Sequence, residues 1–393
     1  MVITQRKLER NTICEEQMCR EIKNLRDQWR KKPMAEKKKI LYIVEAMGGG
    51  VFTYIVDLAN ELVNSYDMYI AYAVRKQTPE NYKDYFDKRI HLIEVENFAR
   101  AINPSKDIAA FFEIRKIAKR VRPDIIHLHS SKAGALGRLA FNGKKVPVFY
   151  TPHGYSFLMQ NSSSTKRKIY KAIETICGKR NCTTISCSAG EHEESEKLTK
   201  QAVYVNNAVN TEALQELIEA VPRKKHPFTV FTLGRICYQK NPRLFNQVAC
   251  ANPDVHFLWI GDGELRGELT APNIEITGWA QRNEALQYSV NADVFLLTSL
   301  WEGLPMSLLE AMFMEKPCVV SDVIGNHDVI HNDDNGYVCN KIDEYTKAIA
   351  EIRNGKSEGY VKKARADVIE RYDTRVQARQ YSDIYMAGLR KNG

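Results

Sequence analysis

Apolar residues gather along this chain in short runs separated by amphipathic stretches. The first run, Ile40-Leu41-Tyr42-Ile43-Val44, has strand length and no alternation, the pattern of a strand covered on both faces. Gly48-Gly49-Gly50 follows, and then Phe52, Ile55, Val56, Ala59, Leu62 and Val63 recur at helical spacing. Strand, glycine loop and helix in that order predict a βαβ opening. Further strands are predicted at 68–74, 90–95, 124–129, 146–151, 183–187 and 202–205, with helices at 107–121 and 166–179. A polar, proline-containing stretch at 221–227 precedes a second series. Its strands are predicted at 228–233, 255–260, 293–297 and 318–320, its helices at 242–251 and 305–314, and a helical tail at 373–389.

Alternating β and α segments with unalternating strands argue for parallel sheets. The chain therefore reads as α/β, with two doubly wound Rossmann-like domains facing a central cleft. Its expected parts are a basic extension at 1–39, a first domain at 40–205, a second at 206–372, and a C-terminal helix at 373–393 that packs back on the first domain.

Composition narrows the class. The 393 residues are 44% hydrophobic and 27% charged, which fits a globular protein with substantial cores and excludes a disordered or collagen-like chain. No apolar run approaches the ~20 residues of a membrane-spanning helix. The first apolar stretch follows a long polar leader, unlike a secretory signal. Nine cysteines in no zinc-type spacing read as reduced thiols in a cytoplasmic protein. Residues 1–39 hold 12 Lys+Arg against 6 Asp+Glu within a net charge of +9. Such a leader suits contact with an anionic membrane surface, whereas nucleic acid is disfavoured because no long basic stripe interleaved with aromatics follows.

Chemistry concentrates where strands end. Glu302-Gly303-Leu304-Pro305 lies just past a predicted strand, with Pro305 suited to the first turn of a helix and Glu310 inside an apolar helical segment. A carboxylate there is costly unless it has partners. Open α/β sheets bind ligands at this edge, and two carboxylates suit sugar or ribose hydroxyls; a helix cap and a surface glutamate are the plainer alternative. Arg235 and Lys240 follow another strand and offer a planar fork and a point charge to a diphosphate, or are simply surface cations beside a turn. Gly48-Gly49-Gly50 matches neither the dinucleotide nor the P-loop fingerprint, and by itself it reads better as a tight turn than as a ligand loop. His153 lies beside Gly154 in a loop. Ile126-His127-Leu128-His129 is read as setting its two imidazoles on opposite sides of a strand, so that they do not share a site. Gly261-Asp262-Gly263-Glu264 reads as a tight strand-to-helix turn.

Taken in order, the Gly48–Gly50 loop, 124–138, His153-Gly154, Gly234-Arg235 with Lys240, Gly261-Asp262-Gly263-Glu264, Thr277-Gly278-Trp279 and the Glu302-x7-Glu310 element resemble family-4 glycosyltransferases of the GT-B fold. The resemblance spans most of 40–372. It implies transfer of a sugar from a nucleotide diphosphate sugar, with UDP as the default nucleotide, retention at the anomeric carbon, and no metal or other cofactor. By this resemblance Arg235 and Lys240 hold the diphosphate, Glu310 the ribose and Glu302 the donor sugar, aided by the backbone of Gly303 and Leu304. Gly49 and Gly50 line the cleft, and His153 lies by the reacting centre. The implied acceptor is a glycan or polyprenyl-linked glycan, in bacterial surface polysaccharide synthesis on the inner face of the membrane. Two departures stand out: Asn206-Asn207-Ala208-Val209-Asn210 replaces the usual Pro-Asn-Gly-Val-Asp, and Gly325-Asn326-His327-Asp328 replaces a Gly-Gly pair with a following Glu. A sugar-nucleotide epimerase of similar architecture and a non-catalytic nucleotide-sugar-binding protein are the rival readings.

Overall fold

The computed structural model describes residues 37–75, 78–99, 103–159 and 163–392. The expected lipid contact of the basic leader falls outside these residues except at its end. There Lys37 Nζ donates to the Val63 carbonyl at 2.8 Å, Lys38 Nζ reaches Asp124 at 3.2 Å, and Lys39 opens the first strand.

The unalternating apolar runs form two parallel sheets. In the first, β1 (Lys39–Met47), β2 (Asp67–Val74), β3 (His91–Glu94), β4 (Ile125–His129), β5 (Val148–Thr151), β6 (Thr183–Ser186) and β7 (Ala202–Tyr204) lie in the order β3-β2-β1-β4-β5-β6-β7. In the second, β8 (Thr229–Leu233), β9 (His256–Ile260), β10 (Ile274–Ile276), β11 (Val294–Leu297), β12 (Cys318–Ser321) and β13 (Tyr337–Cys339) lie in the order β10-β9-β8-β11-β12-β13. Each sheet reverses its winding once, between β1 and β4 and between β8 and β11. Doubly wound sheets bind ligands at such reversals, beyond the carboxyl ends of the strands.

Helices α1 (Gly49–Leu62), α2 (Pro104–Val121), α3 (Ser131–Ala140), α4 (Ser164–Gly178) and α5 (Ala189–Glu196) belong to the first series. The second holds α6 (Thr211–Ala220), α7 (Pro242–Ala251), α8 (Arg282–Val290), α9 (Met306–Phe313), α10 (Ile342–Arg353) and α11 (Glu358–Arg371), and α12 (Thr374–Asn392) ends the chain. Local signals set several starts. Asn103 and Asn241 cap α2 and α7 by accepting backbone N–H groups, each followed by proline at the first position. Pro305 departs from expectation: its ψ of 125° is extended, so it caps α9 rather than opening it.

The terminal helix packs on the first sheet. Tyr381 and Tyr385 are fully buried there, with Tyr54 Oη donating to Tyr381 Oη at 2.5 Å and Tyr385 Oη 2.6 Å from His127 Nδ1. The two strand histidines correct the sequence reading. Positions i and i+2 of a strand share a face, and the rings of His127 and His129 lie 4.0 Å apart in the same buried cluster. The chain passes between domains twice, and the two passages are stitched together. Val209 N donates to Tyr372 O at 2.8 Å, Thr374 N to Val209 O at 3.1 Å, and Gln377 Nε2 to Asn206 O at 2.8 Å.

Candidate functional site

Loops at the carboxyl ends of the two sheets meet across the cleft. A Cβ placed on Gly303 would lie 3.6 Å from Gly154 N, so the Glu302-Gly303 loop of the second domain faces the His153-Gly154 turn of the first. Gly49 has φ +57°, and neither it nor Gly50 would bring a Cβ within 4 Å of any other residue. The start of α1 therefore fronts open space.

On the second domain, Glu302 accepts three hydrogen bonds. Lys240 Nζ and Ser299 Oγ each lie 2.6 Å from Oε1, and Gln239 Nε2 lies 3.2 Å from Oε2. The loop carrying Lys240 is fixed to the Glu302 loop through Thr298 Oγ1 to Lys240 O at 2.9 Å and Leu300 N to Gln239 O at 2.8 Å. Two residues that the sequence reading placed on different parts of one ligand are thus an ion pair in the protein itself. Arg235 instead turns to Glu264, with Nη2 2.9 Å from Oε2, and both side chains are substantially exposed. Glu264 belongs to the Gly261-Asp262-Gly263 turn, which packs tightly: a Cβ on Gly261, at φ +138°, would meet Gly234 O at 2.2 Å.

Glu310 is only 5% exposed, and it has the partner its burial demands: Arg282 Nη2 lies 2.9 Å from Oε1. Arg282 also carries its charge toward Asp57 of α1, across the cleft. Asp57 Oδ2 is buried without a hydrogen-bond partner. Desolvation pushes its carboxyl up to about 7, against the pull of Arg282 and with the repulsion of Glu310. Arg282 was not singled out in the sequence, where it lies 28 residues before its partner, at the start of a short polar helix.

On the first domain, the His153 ring points inward. Its Nε2 lies 3.1 Å from His129 Nδ1, its Nδ1 is 4.0 Å from Cys187 Sγ, and it meets the Tyr54 ring edge-on. Desolvation lowers its pKa to about 3, which keeps it neutral. His153 itself has φ +57°, uncommon for a residue with a side chain. Glu191 holds this turn: its Oε1 accepts Gly154 N–H at 2.6 Å and its Oε2 accepts Cys187 N–H at 2.7 Å. Burial raises the Glu191 carboxyl above its usual range. Both oxygens are spent on backbone, so Glu191 positions the loop.

The two sequence departures find their places at the domain boundary. Asp328 Oδ2 accepts N–H groups of Gly325, at 3.2 Å, and of Gly190 in the other domain, at 3.1 Å. Asn207 Nδ2 donates to the Leu304 carbonyl at 2.6 Å, tying the interdomain passage to the Glu302 loop.

Comparison with known proteins bears on the fold and the family. The description "Glycosyltransferase Family 4" matches residues 48–213, and "Glycosyl transferases group 1" matches 199–354. An Escherichia coli protein named UDP-Gal:alpha-D-GlcNAc-diphosphoundecaprenol alpha-1,3-galactosyltransferase is 31% identical over 344 residues, covering 77% of this chain and 85% of that one. Among solved structures, sucrose-phosphate synthase from Thermosynechococcus elongatus superposes with a TM-score of 0.73 at 16% identity, covering 89% of this chain and 99% of that one. Anabaena HepE in complex with UDP and glucose gives 0.70 at 16% identity, covering 89% and 100%. With the GT-B arrangement of two facing parallel-sheet domains and this degree of identity to a galactosyltransferase, the chain belongs to glycosyltransferase family 4.

Proposed function

We propose that this enzyme transfers a hexosyl group from a UDP-sugar to a glycan carried on a lipid diphosphate, with retention of anomeric configuration, in surface polysaccharide synthesis. The observation that carries the reading is the Lys240–Glu302 pair at the second winding reversal, facing the His153-Gly154 turn of the first domain. The name of the galactosyltransferase relative supports the donor and acceptor classes.

In this reading Lys240 and Arg235 draw the diphosphate into the second domain. Negative charge grows on the leaving diphosphate as the bond to the sugar breaks, and fixed cations stabilise it without reorganising. Glu302 takes sugar hydroxyls, with the Gly303 and Leu304 backbone beside it. Glu310, held by Arg282, takes the ribose. The acceptor hydroxyl attacks the anomeric carbon on the face the diphosphate leaves; its oxygen bonds to that carbon, and its proton passes to the departing phosphate oxygen. Gly49 and Gly50 leave room for the phosphates and acceptor, and the backbone of the His153-Gly154 turn closes the cleft. No metal is needed, because the cations come from the chain. The lipid-linked acceptor places the enzyme on the inner face of the membrane; among the described residues no helix is long and apolar enough to cross it.

The test is nucleotide release from UDP-, GDP- and dTDP-sugars, UDP-galactose first, with a lipid-diphosphate N-acetylglucosamine acceptor. Acceptor-dependent UDP release, lost in Glu310→Ala and Arg235→Ala, is expected. Nucleotide binding without transfer to any acceptor overturns the reading in favour of a binding protein.

A further inference from the structure

The positive charge of the folded chain is concentrated in one layer. Residues 104–180 hold 16 Lys+Arg against four Asp+Glu, a surplus larger than the +9 of the whole protein. This segment supplies α2, α3 and α4, which lie side by side over one face of the first sheet. Ala110, Ile114 and Ala133 of that layer share a core with Leu41, Ile43 and Leu128 of the strands. The four acids are engaged away from the layer's outer face. Glu174 bonds Arg138 and Tyr150 in the interior, Asp107 pairs with Lys132, Asp124 with Lys38, and Glu113 accepts the N–H groups of Glu96 and Asn97.

The same outer face carries apolar side chains that a helix resting on a sheet would be expected to turn inward. On α2, Ile108 and Phe112 are one turn apart and 60% and 62% exposed. On α4, Ile169 and Ile176 are 50% and 63% exposed, with Lys166 and Lys168 on either side of them. An apolar stripe flanked by lysines is the pattern of a helix lying in a headgroup layer. Cations alone would suit any polyanion, nucleic acid included; the exposed isoleucines and phenylalanine single out a bilayer. The strands are parallel, so α2 and α4 begin at the sheet edge that carries the His153 turn. Ile108 and Ile169 therefore lie toward the cleft end of the layer, and Phe112 halfway along it.

We propose that the outer face of α2, α3 and α4 docks this enzyme on an anionic phospholipid bilayer, with the cleft held at headgroup level. The inference deepens the lipid-linked acceptor reading and rests on it for its purpose, but docking is measured without acceptor or donor. The full chain is sedimented with vesicles of phosphatidylethanolamine containing about a third phosphatidylglycerol, and with phosphatidylcholine alone. Binding to the first and not the second is expected. The double variant Lys166→Gln, Lys168→Gln lowers the partition roughly 25-fold, about fivefold per lysine. Phe112→Ser with Ile169→Ser lowers it about tenfold or more. Both variants replace exposed side chains and keep the wild-type melting temperature. Both raise KM for a vesicle-borne acceptor and leave kcat for a short-chain, water-soluble acceptor unchanged.

Wild-type partition in both variants overturns the proposal. So does loss of binding in Arg30→Gln, Lys31→Gln, Lys32→Gln while the α4 variant binds normally, which moves the contact to the leader. Binding to single-stranded nucleic acid but not to vesicles replaces the bilayer with another polyanion and overturns it too. Vesicle binding without glycosyl transfer leaves docking intact and fells only the acceptor reading.

Discussion

The two domains share a winding pattern and differ in what lies beneath their working loops. Under the second domain's loops the cores are apolar, with Phe231, Phe295, Leu297, Leu308 and Leu309 in one cluster. The charges of its working loops are paired with one another beside the cleft, as Lys240–Glu302 and Arg282–Glu310. Under the first domain's loops lies a buried polar cluster: His127, His129, Thr151, Tyr42, Tyr54, Tyr381 and Tyr385. Residues 40–205 carry 24 Lys+Arg against 17 Asp+Glu, whereas 206–393 carry 21 against 25. The lesson is a division of labour. The second domain keeps its charges where a ligand can exchange for them, and the first holds its turn in shape from below.

The comparison breaks most readily in the second domain. Lys240→Ala is expected to cut turnover by about 10²–10³-fold, the scale of losing one fixed group that stabilises developing charge, with little change in melting temperature. Steady-state kinetics on the lipid-linked acceptor checks this. Equal loss of stability and activity would mean that the pair is structural. The first domain should respond in the opposite sense. Glu191→Gln turns an amide N–H group toward one of the two backbone donors that Glu191 now accepts, at a cost of about 1–3 kcal/mol, seen as a lower melting temperature with activity falling as the turn loosens.

Acid should find the first domain before the second. His127, His129 and His153 all have lowered pKa values, through burial. Each binds a proton more readily unfolded than folded, so the stability it permits is full above its unfolded value near 6.5 and falls as pH drops toward about 3, the folded value for His153. Thermal melts between pH 7 and 4 should show the loss, and His127→Gln should reduce its slope. Asp57 has the reverse sign. Its folded pKa of about 7 lies above its ordinary value, so its cost is absent below about pH 4, grows as pH rises through that interval, and is complete above 7. Asp57→Asn should raise the melting temperature by roughly 2–4 °C at pH 8, for a gain near 1 kcal/mol, and by nothing at pH 4. The smallest expected effect is that of a chelator: activity should persist in EDTA if Arg235 and Lys240 supply the positive charge.

Much of this was legible in the sequence because parallel strands buried on both faces are written as plain apolar runs. Ile40–Val44, Val294–Leu297 and Cys318–Val320 could be read directly, and the glutamates and cations just beyond them followed from the rule that such sheets bind ligands at their strand ends. The edge strands β10 and β13 escaped, since three residues half in solvent leave no run to see. Arg282 and Glu191 escaped for another reason. Each acts through a partner distant in sequence, and a single polar residue in a loop or short helix carries no mark of the contact it will make. The histidines of β4 needed only the strand period applied correctly. Their true neighbours, Tyr381 and Tyr385, lie more than 250 residues away, beyond the reach of any local pattern.

That last separation bears on how the protein is made. Tyr381 and Tyr385 leave the ribosome after the whole second domain, yet they complete the polar cluster of the domain synthesised before it. Until they arrive, the His127–Thr151 pair lacks the Tyr385 hydroxyl at His127 Nδ1 and the Tyr381 hydroxyl at Thr151, and the stitched passage between Val209 and Thr374 cannot close. The second domain can finish its sheet while the first waits. A chain cut short before α12 would therefore leave its earlier-made domain unfinished, and the cleft would be complete only in molecules whose translation had passed Tyr385.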